Sequence, residues 1–286
     1  MQMLNVGYVQ HDGDWNWKNV CSPFTRIYFV TEGSAKVHMA DRIVELKPDH
    51  MYVIPAYTEH SYECSGKFTH YYLHTFEVNS GSVSLMDYFD LPSEVEGSEI
   101  YRGIFRKMCN DHPEAILPSS DPQSYDNTTT FKDYVSRARE MPYSEKMMLQ
   151  GCISILFSPF FKEAYVRLWA KDKRMVGAIN YINQNICNKI TLDDLAAHVY
   201  VTKPYIIRLF NSYFDISPLQ YINKKKIERA QFMLTTENVS VKEIAYSLGF
   251  NDNSYFNRMF RKVSCCTPKE YRSEMRGEML SGKASQ

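Results

Sequence analysis

The sequence predicts an α+β multidomain protein, with an antiparallel β-barrel or jelly roll in front and an all-α domain of two helix-turn-helix units behind. Three observations predict it. Between residues 25 and 77, short alternating apolar and polar runs are broken by turn residues at roughly ten-residue spacing. In the last third a block recurs at a period of 50: Tyr205 returns as Tyr255, Arg208 as Arg258, Phe210 as Phe260 and Tyr221 as Tyr271. Such a period marks one supersecondary unit used twice. The formal charge is zero overall, yet residues 171–286 hold 18 Lys and Arg against 11 Asp and Glu, a net +7 that leaves −7 for residues 1–170. A basic third joined to an acidic remainder points to a polyanion for the one and a different partner for the other.

These observations predict three regions: a barrel over 1–90, a helical connector over 91–170 and the double helix-turn-helix domain over 171–286. No apolar run reaches the ~18 residues of a membrane span, so no membrane partner is expected. Residues Met1–Asp14 read as polar, without a signal-peptide pattern. None of the seven cysteines forms a C-x-x-C pair. Scattered thiols without a secretory signal suit the cytoplasm.

The strands come first. Arg26–Val30 runs into a turn at Thr31–Ser34, Ala35–Met39 pairs back, and Arg42–Leu46 follows the Asp41-Arg42 turn. After Lys47–His50 comes Met51–Ile54, then a loop over Pro55–His60, and His70–Glu77 alternates again. This order, with its Glu32-Gly33-Ser34 and Leu46-Lys47-Pro48-Asp49 turns, resembles the cupin barrel of sugar-responsive regulators. A metal-binding cupin sets His-x-His and a carboxylate on one ion. Here His38 stands alone, His60 holds the downstream place, and His70 and His74 share one strand face. The expectation is therefore no metal, no cofactor and no catalytic residue. A small-molecule pocket in the barrel mouth fits better, with Trp15, Arg26, Tyr28, His38, His60 and His74 as candidate effector contacts. Arg26 can fork onto a carboxylate or vicinal hydroxyls.

The connector shows helical apolar spacing over Gly97–Cys109 and Tyr143–Phe157, separated by an Asp-, Pro- and Ser-rich loop. The second helix is rich in Met, and it could pair with a copy of itself or pack onto the barrel.

In the back third, a helix over Lys173–Asn185 precedes Thr191, which caps Leu192–His198 with Asp194 as its capping-box partner. Tyr200-Val201 forms the turn, and Thr202 caps a helix to Tyr213, with Pro204 in its first turn, where the missing N–H does no harm. Pro218 opens a joining helix to about Thr235, ~27 Å long at 1.5 Å per residue. That length suits two heads entering successive major-groove faces about 34 Å apart. Lys224, Lys225 and Lys226 on it could meet phosphates, Lys224 being the favoured one. In the second copy Ser240 and Glu243 form a capping box, Gly249 takes the left-handed turn with Phe250 as a core plug behind it, and Asp252 caps the helix Asn253–Lys262.

The stretch from Glu243 to Arg272, EIAYSLGFNDNSYFNRMFRKVSCCTPKEYR, resembles the DNA-binding domain of the AraC-type (arabinose-regulator) transcription factors. Residues 195–218 match it less closely. The resemblance implies base-facing Lys203, Pro204, Ile207 and Arg208 in the first head, and Asn253, Ser254, Asn257 and Arg258 in the second. Arg can fork onto guanine and Asn can pair with adenine, whereas Pro204 and Ile207 reach only thymine methyls. Tyr205, Phe210, Tyr255, Phe256 and Phe260 are expected as core anchors. The chain departs from the family by placing Asp215 and Cys265 where glycine usually follows each recognition helix. A regulator of this kind, in its usual form an activator, would bind double-stranded DNA, a small-molecule effector such as a sugar or other polar metabolite, and RNA polymerase, working as a homodimer. The alternatives are a metal-dependent cupin enzyme tethered to DNA and a helical protein-docking module.

Overall fold

The computed structural model describes residues 1–77, 85–125, 134, 136–137, 140–264 and 266–275. The chain divides into two compact units, Met1–Val78 with Leu91–Ala164, and Asn79–Asp90 with Tyr165–Gln286. This differs from the three-part expectation at two points. The connector helices pack with the strands, and the chain around residues 85–90 packs with the back third.

The first unit is built on β1 (Gln2–Asp12), β2 (Thr25–Gly33), β3 (Ala35–Met39), β4 (Ile43–Leu46), β5 (His50–Ile54), β6 (His60–Glu63) and β7 (Lys67–Phe76). With β9 (Glu94–Glu96), these form a five-stranded antiparallel sheet in the order β1-β7-β2-β5-β9 and a three-stranded sheet in the order β4-β3-β6. The sheets do not close into one barrel, which corrects that part of the expectation. The apolar and aromatic side chains of Tyr28, Val30, Val37, Leu46, Tyr52, Tyr62, Phe68 and Tyr72 make one core cluster with Trp15. Each such burial is worth roughly 1.5–3 kcal/mol.

β2 is buried on both faces. Phe29, pointing away from that cluster, meets Phe105 of α1 (Glu99–Asp111), which also lies against Tyr71. The second connector helix, α2 (Tyr143–Lys162), packs on α1, β1 and β9. The strand β1 lies within the stretch Met1–Asp14, which reads as polar and in which no strand is expected from the sequence. Its buried Leu4, Asn5 and Val6 sit in the sheet, and it pairs along β7 from Gln2↔Phe76 to Asp12↔Lys67.

In the second unit, a two-residue ladder joins β8 (Phe89–Asp90) to β10 (Tyr165–Val166), and Tyr88 packs on Trp169. Beside a short helical turn over Leu85–Tyr88, the longer helices are α3 (Lys173–Gln184), α4 (Leu192–His198), α5 (Lys203–Phe214), α6 (Pro218–Thr236), α7 (Val241–Ser247), α8 (Asn253–Ser264) and α9 (Pro268–Met275). The expected caps are present in full for α4 and α7: Thr191 with Asp194, and Ser240 with Glu243, close reciprocal boxes. Ser217 and Gln220 add a third on α6. Asp252 Oδ1 accepts from Ser254 N at 2.7 Å. Thr202 occupies the N-cap of α5, but its side chain makes no capping hydrogen bond.

Each head has its own apolar cluster. Leu195, Ala196, Ile206, Phe210 and Tyr221 are buried in the first, and Ile244, Ala245, Phe256, Phe260 and Tyr271 in the second. No helix among the described residues is long and apolar enough to cross a membrane.

Candidate functional site

Two places gather polar chemistry: the outer faces of α5 and α8, and a cavity in the first unit. On α5, Lys203, Pro204 and Arg208 are exposed and Ile207 is half-buried. Asp193 holds Lys203 Nζ at 2.6 Å, and the Arg208 guanidinium lies 5.1 Å above the Tyr205 ring, with Arg174 at 5.0 Å from the same ring. On α8, Ser254 and Arg258 are exposed while Asn253 and Asn257 are half-buried, their amide oxygens shielded and, among the described residues, without a hydrogen-bond partner. Arg258 lies 6.0 Å above Tyr255. The repeat therefore preserves an Arg-over-Tyr pair on each helix, three residues apart.

Of the expected core anchors, Phe210, Phe256 and Phe260 are fully buried. Tyr205 is half-buried between its two arginines. Tyr255 is not core: it is 39% exposed, and its hydroxyl accepts from Asn223 Nδ2 at 3.0 Å.

The three lysines of α6 have separate fates. Lys224 is exposed. Lys225 is bound to Asp87 at 2.9 Å and Glu228 at 3.1 Å; burial opposes its charge, yet the two carboxylates hold the ammonium above the ordinary lysine range. Lys226 is 4% exposed and donates to Asn188 O and Leu248 O, each at 2.6 Å. Burial lowers its pKa to about 8. Of the three, Lys224 alone has no such partner among the described residues.

The left-handed residues at the head turns also differ. Tyr200 has φ 56° and Gly249 φ 71° at equivalent places, and Asp215 adopts φ 55° after α5. Cys265, its counterpart, lies outside the described residues. A Cβ on Gly249 would come within 2.5 Å of the Asn188 backbone, so only glycine fits there.

The cavity holds about 180 Å³ and is lined by β1, β7, Trp15, Tyr28, Tyr125 and the segment 116–120. Among the expected effector contacts, Trp15, Tyr28 and His74 line it. Arg26, His38 and His60 do not. Arg26 is buried with its guanidinium 4.5 Å over Phe24 and Nη2 donating to Ser22 Oγ at 2.7 Å. His38 sits on the three-stranded sheet, 2.7 Å from Glu63 Oε2. His60 donates through Nδ1 to Thr58 O at 2.8 Å and meets the Tyr62 hydroxyl at 2.8 Å. Burial, aided by the Arg26 charge, lowers its pKa to about 3, so it is neutral.

Lining residues that sequence reading did not place in the pocket include His11, Asp14, His70 and the segment 116–120. The Tyr72 hydroxyl accepts from Leu117 N at 2.8 Å and so fastens that segment over the cavity. Gly7 makes room for this hydroxyl, since a Cβ there would approach it to 2.3 Å. The pairing Gly7↔Tyr72 across β1 and β7 was the available signal, hidden because Met1–Asp14 did not read as a strand. Among the described residues no group of three His, Cys, Asp or Glu side chains is placed to hold a metal ion.

A family model described as an AraC-like ligand binding domain matches residues 6–113, and one described as a helix-turn-helix domain matches residues 195–274. The regulatory protein PocR of Salmonella typhimurium is 33% identical over 104 residues, 36% of this chain and 34% of that one. The transcriptional activator RhaR of Mannheimia succiniciproducens is 28% identical over 133 residues, 46% of this chain and 47% of that one. The chain thus spans about a third to a half of the curated relatives it matches. The crystal structure of ToxT from Vibrio cholerae O395 aligns over 96% of this chain and 97% of that one, with a TM-score of 0.50 and 13% identity, a likeness of fold.

Proposed function

With an AraC-like ligand-binding domain joined to an AraC-type helix-turn-helix domain, the chain belongs to the AraC family, and from that premise we propose that it is a sequence-specific DNA-binding transcription regulator, an activator controlled by a small-molecule effector. One observation carries the reading: Arg208 and Arg258, 50 residues apart, stand exposed on the outer faces of two repeated helices whose opposite faces form the core. An exposed guanidinium at a helix surface can fork onto guanine in the major groove. Lys203, Pro204 and Ile207 complete the first reading face, Asn253, Ser254 and Asn257 the second, and Lys224 supplies a phosphate contact.

The effector, a sugar or other polar metabolite, occupies the cavity of the first unit, and its binding shifts the population of DNA-competent arrangements. The exposed Met147, Met148 and Ile155 of α2, beside a Gly151 with open space at its Cβ, support pairing of two copies. The regulator works in the cytoplasm and contacts RNA polymerase.

A gel-shift titration tests the DNA reading. Arg258→Ala is expected to lose about 1–3 kcal/mol of discrimination between cognate and altered sites, whereas Lys224→Ala weakens all sites evenly and lowers the salt slope by about 1. Sequence-blind weakening by both variants alike would overturn it.

A further inference from the structure

The cavity carries chemistry that narrows its ligand. His11 is buried, and its Nδ1 lies 3.1 Å from Asp14 Oδ1. A carboxylate only accepts, so the proton of this pair sits on His11 Nδ1, and Nε2 is left as an acceptor. Among the described residues that Nε2 has no hydrogen-bond partner, and neither has Nδ1 of His70 or His74. Both of these imidazoles are 2% exposed and line the same cavity. Buried polar atoms without partners cost about 1–3 kcal/mol each, which a ligand that completes them would recover.

The three rings are neutral. Burial lowers the pKa of all three, the Asp14 carboxylate only partly offsetting it at His11, and at His74 the Arg26 charge adds to burial. A neutral imidazole edge can donate or accept according to its tautomer, so His70 and His74 suit a hydroxyl, which does both. His11, fixed by Asp14, takes only a donor. A ligand carboxylate would set its lone pairs against the Nε2 lone pair. A ligand cation would enter the field of buried Arg26, which already disfavours protonation of the cavity wall. At about 180 Å³ the space suits one six-membered ring.

We propose that the cavity selects a small, uncharged, hydroxyl-bearing molecule of about one ring, which donates a hydrogen bond to His11 Nε2 and completes His70 and His74. This rests on the reading of the first unit as effector-binding and defines the chemical class of that effector. Asp14 is a positioning residue that acts through His11, and its side chain is 66% exposed, so its replacement spares the core.

Titration calorimetry on the full chain at pH 7.5 tests it with neutral pentoses, hexoses and inositols, the corresponding uronates, and amino sugars. At least one neutral member is expected to bind, at least tenfold tighter than its uronate or amine counterpart. His11→Phe should abolish that binding, and Asp14→Asn should weaken it about tenfold while thermal unfolding of the variant stays close to that of the parent. Tighter binding of a uronate or amine overturns the ligand class, as does failure of every neutral member to bind. Binding that is indifferent to Asp14→Asn and His11→Phe overturns the role of His11. If a neutral ligand binds as expected and DNA affinity in gel shift does not respond to it, the ligand class stands and the effector reading falls.

Discussion

The two helix-turn-helix heads share an interior and differ at their surfaces. Leu195 and Ile244, Ala196 and Ala245, Ile206 and Phe256, Phe210 and Phe260, and Tyr221 and Tyr271 are buried at matching places. At the turns the match ends. Tyr200 holds a left-handed backbone in the open at 96% exposure, while Gly249 holds the same conformation pressed against Asn188. The first head places Pro204 and Ile207 where the second places Ser254 and Asn257. A duplicated unit thus conserves the ridge that folds it, and its outward residues are released to diverge. Under the proposed DNA reading, the second head is expected to make more polar contacts to base edges and the first to add register and affinity.

Three changes test this asymmetry, from the largest effect to the smallest. Gly249→Ala adds a left-handed Ala, at about 1–2 kcal/mol, to a backbone clash with Asn188. The expected loss is about 3 kcal/mol in urea unfolding, with DNA affinity lost alongside. A loss under about 1 kcal/mol would mean that the junction gives way freely.

Next is Lys226→Met, which removes the donor shared by Asn188 O on the first-head side and Leu248 O in the second. The buried Leu248 carbonyl and the part-buried Asn188 carbonyl lose this donor and a buried cation is removed, for a net cost of about 2 kcal/mol. Calorimetric unfolding that splits into two transitions would add that Lys226 couples the heads. An unchanged melting temperature would show that it does not hold them.

The smallest is Tyr200→Gly, expected to stabilise by about 1 kcal/mol through relief of left-handed strain at an open site. Destabilisation would instead assign the exposed ring a packing role.

The helical third was legible in the sequence because its signals are local. Thr191 with Asp194, Ser240 with Glu243, and Gly249 each act within one turn of chain, and helix ends fell within a residue or two of the reading. Asp215, which departs from the family's usual glycine, still takes a left-handed backbone. The front of the molecule was legible only in part. Strands β2 to β5 follow from alternation, but whether sheets close depends on pairings between distant segments. The cavity was harder still. His11 and Asp14 lie on or beside β1, His70 on β7, and Leu117 beyond α1, and no spacing within the chain announces their meeting. His38 and His60 drew attention through a metal-site pattern, and each instead satisfies its own neighbours.

The arrangement of the clusters has an evolutionary consequence. Lys203, Pro204, Ile207 and Arg208 lie outside the apolar cluster of the first head, and Asn253, Ser254, Asn257 and Arg258 lie outside that of the second. If these residues read DNA as proposed, stability and recognition fall to different residues on the same helices. A lineage can rewrite its operator sequence by surface replacements that leave the folding free energy nearly untouched. The knot at Gly249, Asn188 and Lys226 has no such latitude, so drift should run fast on the reading faces and slowly at the junction.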